Sequence, residues 1–299
     1  MVDPLSDFIA LMRPRAVFAK GISAAGRWGV RYSDFGLPSF CAVMEGSCRL
    51  AVDGQKPVTL EAGDFVLLPA TPAFTLSGFE PVTPKRIDPK LMAAPGGDVR
   101  HGRSGGRPDV RLLGGHFVLD APDTALLISL LPSLIHVRGE GRLSALVQMV
   151  REETGARRSG RDLVLARIVE ILLIEALRAT ETHDASPGLL RGLADARIAA
   201  ALRLMHGDPA RGWTVDHLAR KAALSRSAFF DRFTRAVGLR PMEYLHAWRM
   251  AVAKDLLRSR KTGIDEVARL VGYGSASTFS TAFSRHVGQP PGRFARQHA

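Results

Sequence analysis

The chain has 299 residues, 46% of them apolar, which is length and core material enough for two domains. Its only cysteines, Cys41 and Cys48, exclude a disulfide framework and fit a reducing cytoplasm. The formal net charge of +12 is unevenly placed: residues 1–190 hold 22 Lys/Arg against 21 Asp/Glu, whereas residues 191–299 hold 19 against 8. A neutral segment joined to a basic one points to a polyanion partner for the C-terminal third, the alternative being a merely solvated basic surface.

The N-terminus MVDPLSDFIALMRPR starts acidic and has a short apolar run, so it is a poor signal peptide. The longest apolar run, LVLARIVEILLIEAL (163–177), is too short and too charged to span a bilayer, which implies no membrane role.

Residues 15 to about 138 read as β structure. FCAVMEGSCRLAVDG (40–54) has strand-like runs with turns at Glu45-Gly46 and Asp53-Gly54. KPVTLEAGDFVLLPA (56–70) turns at Ala62-Gly63-Asp64. VRLLGGHFVLD (110–120) and ALLISLL (125–131) read as further strands, and short strands joined by Gly/Pro turns predict a barrel or sandwich. KRIDPKLMAAPGGDVRHGRSGGRPD (85–109) reads as a long mobile loop.

From 142 to 183 the period changes. Leu143, Leu146, Val147 and Val150 share a helical face. In RDLVLARIVEILLIEALRA (161–179) apolar residues cover most of the circumference, so the helix demands more than one packing partner. A second copy of the chain would supply one, giving a homodimer; burial within one subunit is the alternative. HDASPGLLRG (183–192) reads as a linker. The expected domains are a barrel at 1–138, a helical linker and dimerisation segment at 139–190, and a helical domain at 191–299.

The helical domain contains a repeat. VDHLARKAALSRSAFFDRFTRAVG (215–238) matches IDEVARLVGYGSASTFSTAFSRHVG (264–288), at an offset of 49 before the turn and 50 after it. In each copy an acidic first turn opens one helix, and Ser225 or Ser275 caps the next. Phe229, Phe233 and Val237 in one copy, and Phe279, Phe283 and Val287 in the other, recur at i, i+4, i+8 as one apolar face. This is helix-turn-helix anatomy, whose second helix can lie in a DNA major groove. Between the copies PMEYLHAWRMAVAKDLLRSR (241–260) reads as one rigid helix, with Asp255 as the polar exception to its apolar spacing.

Residues 197–297 resemble the DNA-binding domain of AraC-type transcription regulators. The likeness rests on the two copies, the Gly272-Tyr273 turn, Phe279-x3-Phe283, and the closing Gly288-x-x-Pro291-x-x-Phe294. EGSCRLAVDG and LEAGDFVLLPATPAF more loosely resemble the cupin-type sensor found upstream in such regulators. The resemblance implies an α+β chain: a cupin-like β-barrel, a helical linker, and an all-α domain with two helix-turn-helix motifs. It implies a cytoplasmic, sequence-specific regulator of transcription that binds duplex DNA, contacts RNA polymerase to activate, and responds to a small-molecule effector through the barrel.

The groove face of the first reading helix would carry Arg226, Ser227, Ala228, Phe230, Asp231, Thr234 and Arg235. The family's base-contacting positions fall on Ser227, Phe230 and Asp231. Asp231 could accept from a cytosine amino group and Phe230 could meet a thymine methyl, whereas Arg226 and Arg235 suit phosphates. Phe230 could instead be a core residue. The second reading helix offers Ala276, Ser277, Thr278, Ser280, Thr281 and Arg285. Thr281 and Ser284 stand where family members often carry Arg or Lys, and no Arg, Asn or Gln lies on this face to make bidentate base contacts. Arg220, Lys221, Arg249, Arg269 and Arg293 are further candidates for phosphate contact.

Catalysis has little support. GxSxG, P-loop and HExxH patterns are absent. Metal-binding cupins carry HxH followed by Glu on one strand and another His on a later one. Here the first place, Ser39–Glu45, has no histidine and Phe74 stands near the second, so Cys41 and Glu45 are a weak set and neither a metal nor another cofactor is expected. His101 and His116 read as core histidines. Phe40, Met44, Phe65, Leu67 and Phe74 are candidate lining for an effector pocket. A thiol redox sensor using Cys41 and Cys48, a cupin metalloenzyme tethered to DNA, and a nonspecific architectural binder are the competing readings.

Overall fold

A computed structural model of the chain describes residues 3–34, 36–87, 98–121, 123–139, 141–155, 158–179, 186–259 and 262–297. It opens with helix α1 (Pro4–Met12), capped by Asp3, whose carboxylate accepts from the Leu5 N–H. Strands β1 (Pro14–Ala25), β2 (Gly29–Tyr32), β3 (Ser39–Val52), β4 (Val58–Glu61), β5 (Phe65–Leu68), β6 (Phe74–Ser77), β7 (Lys85–Ile87), β8 (Val99–Gly102) and β9 (Val110–Leu119) follow. Helix α2 (Thr124–Ser129) and strand β10 (Ile135–Val137) lead to α3 (Gly141–Gly155) and α4 (Arg161–Arg178). Helices α5 (Leu189–Ala194), α6 (Ala196–Gly207), α7 (Val215–Lys221), α8 (Arg226–Val237), α9 (Pro241–Arg258), α10 (Ile264–Leu270), α11 (Ala276–Val287) and α12 (Pro291–Gln297) complete the chain. None of the described helices is long and apolar enough to cross a membrane.

These elements form two compact units. One comprises Pro14–Leu119 with Ser133–Thr180; the other comprises Met1–Arg13, Asp120–Pro132 and Glu181–Ala299. Boundaries at 138 and 190 therefore do not follow this division. Helices α3 and α4 belong with the strands, and two stretches from the N-terminal half belong with the C-terminal helices.

In the β unit, strand order runs β7-β2-β6-β3-β9-β1-β8, with β4 and β5 also on β3 and β10 on β5. The long strand β3 joins both halves: residues 39–46 pair with β5 and β9, residues 47–52 with β4 and β6. Glu45-Gly46 is not the expected hairpin turn. The register with β9 shifts between Val43 and Glu45, a bulge that lets one strand bend and continue. Gly46 has φ 74, and a Cβ there would stand 1.9 Å from the Asp109 carbonyl oxygen, so only glycine lets the two strands approach so closely. The Asp53-Gly54 and Ala62-Gly63-Asp64 turns form as expected, with Gln55 N–H donating to Val52 O and Asp64 N–H to Glu61 O.

The bulge also sorts the side chains. Val43, Cys48, Leu50, Val66, Leu68, Leu76, Val110 and Leu112 pack around Trp28 and Tyr32 in the barrel core. Phe40 pairs with Leu67, and Ala42 with Phe65, on the opposite sheet face, where Phe40 stacks on Phe117 at 5.2 Å. Met44 and Phe65 line a small cavity of about 100 Å³ closed by Leu143 and Val147 of α3. Phe74 instead packs with the barrel core, stacked on Tyr32 at 4.8 Å. The five residues expected around one pocket are thus split between two faces, because alternation along paired strands puts them there.

Three other expectations change. ALLISLL is not a strand: Asp123 caps α2 by accepting from Leu126 N–H at 3.3 Å. Leu127, Leu130 and Leu131 are its buried residues, at helical spacing. An apolar run without alternation does not choose between strand and helix, and the cap decides. Segment 85–109 contains two short strands: β7 opens it and runs parallel to β2, and β8 at 99–102 runs parallel to β1, while 103–109 has no strand. Its middle, 88–97, lies outside the described residues. The described part of 183–192 is packed rather than extended, since Leu189 and Leu190 are buried and Gly188 N–H donates to Ala236 O; residues 183–185 lie outside the described residues.

On α3, Leu143, Val147 and Val150 are buried as the periodicity requires. On α4, Leu165, Ile168, Val169, Leu172, Leu173, Ala176 and Leu177 are buried, while Leu163, Val164 and Ile171 remain exposed.

Candidate nucleic-acid interface

The two copies of the repeat fold alike, atom for atom in places. In the first, Ala223 N–H donates to Arg220 O and Leu224 N–H to Ala219 O; in the second, Gly272 N–H donates to Arg269 O and Tyr273 N–H to Ala268 O. Both turns pass through a left-handed residue, Ala223 at φ 53 and Gly272 at φ 83. Gly274 is the extra residue of the second turn. Ser225 Oγ then accepts from Ala228 N–H at 3.3 Å, and Ser275 Oγ from Thr278 N–H at 3.1 Å, so each hydroxyl caps a reading helix. Gly238 and Gly288, at φ 84 and 80, end α8 and α11.

The phenylalanines set which face is left over. Phe229, Phe233, Phe279 and Phe283 are fully buried, with ring centroids 5.6 Å apart in α8 and 5.5 Å in α11. The opposite face of α8 is open: Arg226, Ser227, Ala228, Asp231 and Arg235 are exposed, and Thr234 is half-buried with its hydroxyl donating to Phe230 O. Phe230 is 36% exposed, so it is not a core residue. Arg226, Ser227, Phe230 and Asp231 line one open depression with Val215 of α7. On α11, Ser277, Thr278, Thr281 and Arg285 are exposed, and Ala276 and Ser280 are half-buried. Thr281 donates its hydroxyl proton to Ser277 O, leaving acceptor capacity outward.

The surroundings of α8 are basic. Partial burial, and then the cations Arg211, Arg220 and Lys221, hold the His217 imidazole below its ordinary pKa. Arg211 lies 4.6 Å over the Trp213 ring. Asp216 offsets Arg226 at 3.2 Å, an exposed pair of small energetic weight.

Helix α9 carries both copies. Its 18 residues span roughly 27 Å, comparable with the roughly 34 Å of one B-DNA turn. Arg249 on this helix is not free to meet a phosphate. Its Nε donates to Pro209 O at 2.7 Å and its Nη2 to Arg211 O at 2.8 Å. A Cβ at Gly272 would stand 2.6 Å from Ala210 O. The turn of the second copy therefore rests on the loop that leads into the first. The Gly272-Tyr273 turn is legible in the sequence, but the loop it packs against is not. Arg220, Lys221, Arg269 and Arg293 are exposed.

The residues at the cupin ligand places, two potential donors and one phenylalanine, do not form a set. Cys41 faces the barrel core, Glu45 is solvent-exposed beside Arg111, and Phe74 stacks on Tyr32. Among the described residues no three His, Cys, Asp or Glu side chains are grouped to hold a metal ion.

Two capped helix-turn-helix copies on a shared helix, with basic and hydroxyl-rich faces outward, define a protein that binds duplex DNA through paired motifs and carries a β-barrel unit in the same chain. The comparisons agree. The cupin family matches residues 3–180 and a helix-turn-helix domain family matches residues 218–297. An AraC-like transcription regulator of Streptomyces lividans is 37% identical, covering 99% of both chains, and one of Streptomyces antibioticus is 36% identical over the same shares. The transcriptional regulator AlkR of Acinetobacter baylyi is 33% identical over 57% of this chain and 58% of its own. The chain belongs to the AraC-type family of transcription regulators, with an N-terminal cupin domain. It is an α+β, sequence-specific DNA-binding regulator of transcription.

Proposed function

We propose that the protein regulates transcription from the cytoplasm as a homodimer, each subunit laying α8 and α11 into successive major grooves of one duplex face. The observation that carries this is the paired arrangement of two reading helices whose outward faces are polar while their phenylalanines are buried. Ser227, Phe230 and Asp231 read bases; Arg226, Arg235 and Arg285 meet phosphates. Ala228, Thr234, Ala276, Ser277, Thr278, Ser280 and Thr281 complete the contact faces. Helix α11, with only Ser, Thr and Ala at its groove face, anchors the backbone and reads groove shape, so α8 carries most base specificity.

Two observations support the finer parts of this reading. Leu163, Val164 and Ile171 form an exposed apolar strip on α4, with Arg167 between them, which favours a second copy as partner. Inside the barrel unit Tyr32 Oη and His101 Nε2 are buried without a hydrogen-bond partner among the described residues. Unmet polar atoms of this kind favour a small polar effector there. Effector binding shifts the population able to place both subunits on DNA, and bound dimers recruit RNA polymerase. The protein acts by binding rather than by catalysis.

Selection of genomic fragments by the purified full chain, followed by footprinting, tests this reading. Two protected patches per subunit, about one helical turn apart, are expected. Equal affinity for selected and random duplexes at one salt concentration would overturn it.

A further inference from the structure

The DNA-binding unit contains residues from outside the helix-turn-helix domain. Although the cupin match extends over 3–180, residues 3–13 and the described part of 120–132 pack with the C-terminal helices. Segment 120–132 touches both halves of that unit. Near its start, Asp123 accepts from Lys254 Nζ of α9 at 2.6 Å and stands 4.0 Å from His286 near the end of α11. Asp120 takes Arg258 of the same helix, through its carboxylate and through its carbonyl at 2.9 Å. Near its end, Leu130 O accepts from Leu189 N–H, and a Cβ at Gly188 would stand 2.5 Å from that oxygen. Gly188 N–H in turn donates to Ala236 O, in the last turn of α8. One short segment thus runs from the C-terminal end of one reading helix to that of the other.

The anchors are not casual surface pairs. The side chains of Lys254, Asp123, Arg258 and Asp120 are all at least four-fifths buried. Leu127, Leu130 and Leu131 of the same segment are buried. Lys254 and Arg258 lie four residues apart, on one face of α9. Next to them Asp255, the one acidic residue in the helix that sequence periodicity left unexplained, accepts from Arg13 through Oδ2 at 3.1 Å. Separating Lys254 from Asp123, or Arg258 from Asp120, would leave a buried charge without its partner, which is costly.

We infer that residues 120–132 are an internal strap that positions α8 and α11 relative to each other for DNA binding, with Asp120 and Asp123 as positioning residues. The inference rests on the reading that both helices engage DNA at once.

The test uses the full-length chain and a duplex that the wild type selects from a randomised pool, together with the same duplex scrambled where α11 is footprinted. Asp123→Asn is expected to lose about tenfold in affinity on the intact duplex and nothing on the scrambled one. Pairing Asp120→Arg with Arg258→Asp is expected to restore what Asp120→Asn loses. Should Asp123→Asn fail to fold, Asp123→Leu with Lys254→Met removes the pair without stranding a charge and is expected to show the same contrast. Equal losses on both duplexes, or no loss on either, would overturn the strap. A wild-type footprint confined to one groove overturns the two-groove reading, and the strap with it, before any variant is measured.

Discussion

Ala223 and Gly272 occupy the same place in the two helix-turn-helix copies, and both backbones are left-handed there, at φ 53 and φ 83. Only the second copy has the residue that tolerates this conformation freely. Ala223→Gly is therefore expected to stabilise the protein by about 0.5–1 kcal/mol. Gly272→Ala is expected to cost more than about 1 kcal/mol, since it adds strain and drives a Cβ to 2.6 Å from Ala210 O. Urea denaturation of each variant checks both signs; an unstable Ala223→Gly contradicts the account.

Asp231 and Arg235 share the open face of α8 but serve different contacts. Asp231→Ala is expected to change which bases are preferred, at about 1–3 kcal/mol per discriminated pair, with little change in salt dependence. Arg235→Ala is expected to weaken all duplexes evenly and to reduce the salt slope by about one. Binding titrations at several salt concentrations, on selected and randomised duplexes, separate the two effects. If neither substitution matters, α8 is not the reading helix.

Dimerisation through α4 predicts that Ile171→Glu with Leu163→Asp gives a folded monomer. Sedimentation velocity reports the mass, and the circular dichroism spectrum should not change. A dimer that survives both substitutions places the contact elsewhere.

Neither thiol is expected to act as a redox sensor. Burial, and then Cys48, push the half-buried Cys41 thiol up; burial, and then Asp64, push Cys48 up to about 12. At neutral pH both stay protonated, and the thiolate is the reactive form. Iodoacetamide is expected to label both far more slowly in the native protein than in urea, and Cys41→Ser with Cys48→Ser to regulate normally. Rapid native labelling or lost regulation would revive the redox reading.

His206 is expected to make the DNA-binding unit sensitive to acid. Its ring stacks on Trp248 at 3.8 Å, and Nε2 meets Tyr244 Oη at 2.7 Å. Burial holds its pKa below the ordinary value, with Asp7 pulling partly the other way. The folded state therefore binds the proton less readily than the unfolded state. The stability contribution is full above roughly pH 6.5, the unfolded value, and is lost as pH falls from there toward the lower folded pKa. Denaturation at pH 7, 6 and 5 is expected to show a shallower decline in His206→Gln. Parallel declines would assign the acid sensitivity to other groups.

Much of the recognition domain could be read along the chain. The repeat, the serine caps, the buried phenylalanine stripes and the outward residues of α8 follow from periods of three to four residues, which a helix turns into faces. The barrel was legible in outline only. Nothing local told Glu45-Gly46 apart from a hairpin turn, because the close approach of Asp109 that requires the bulge comes from more than sixty residues away. ALLISLL reads as a strand for the mirror reason: an almost wholly apolar run has no clear period, and the cap by Asp123 lies outside it.

Charge and repetition in the sequence by themselves determined a basic C-terminal third with two copied helix-turn-helix motifs, and the family resemblance of those motifs implied duplex DNA as the partner. That information is local, and a helix needs only neighbours within one or two turns to sort its faces. The tertiary structure decided which distant groups hold those motifs in place: Arg249 against the loop before the first copy, and Asp120 and Asp123 against α9. A charge or carbonyl 40 to 140 residues away leaves no periodic trace, and only folding brings Lys254 and Asp123 to 2.6 Å.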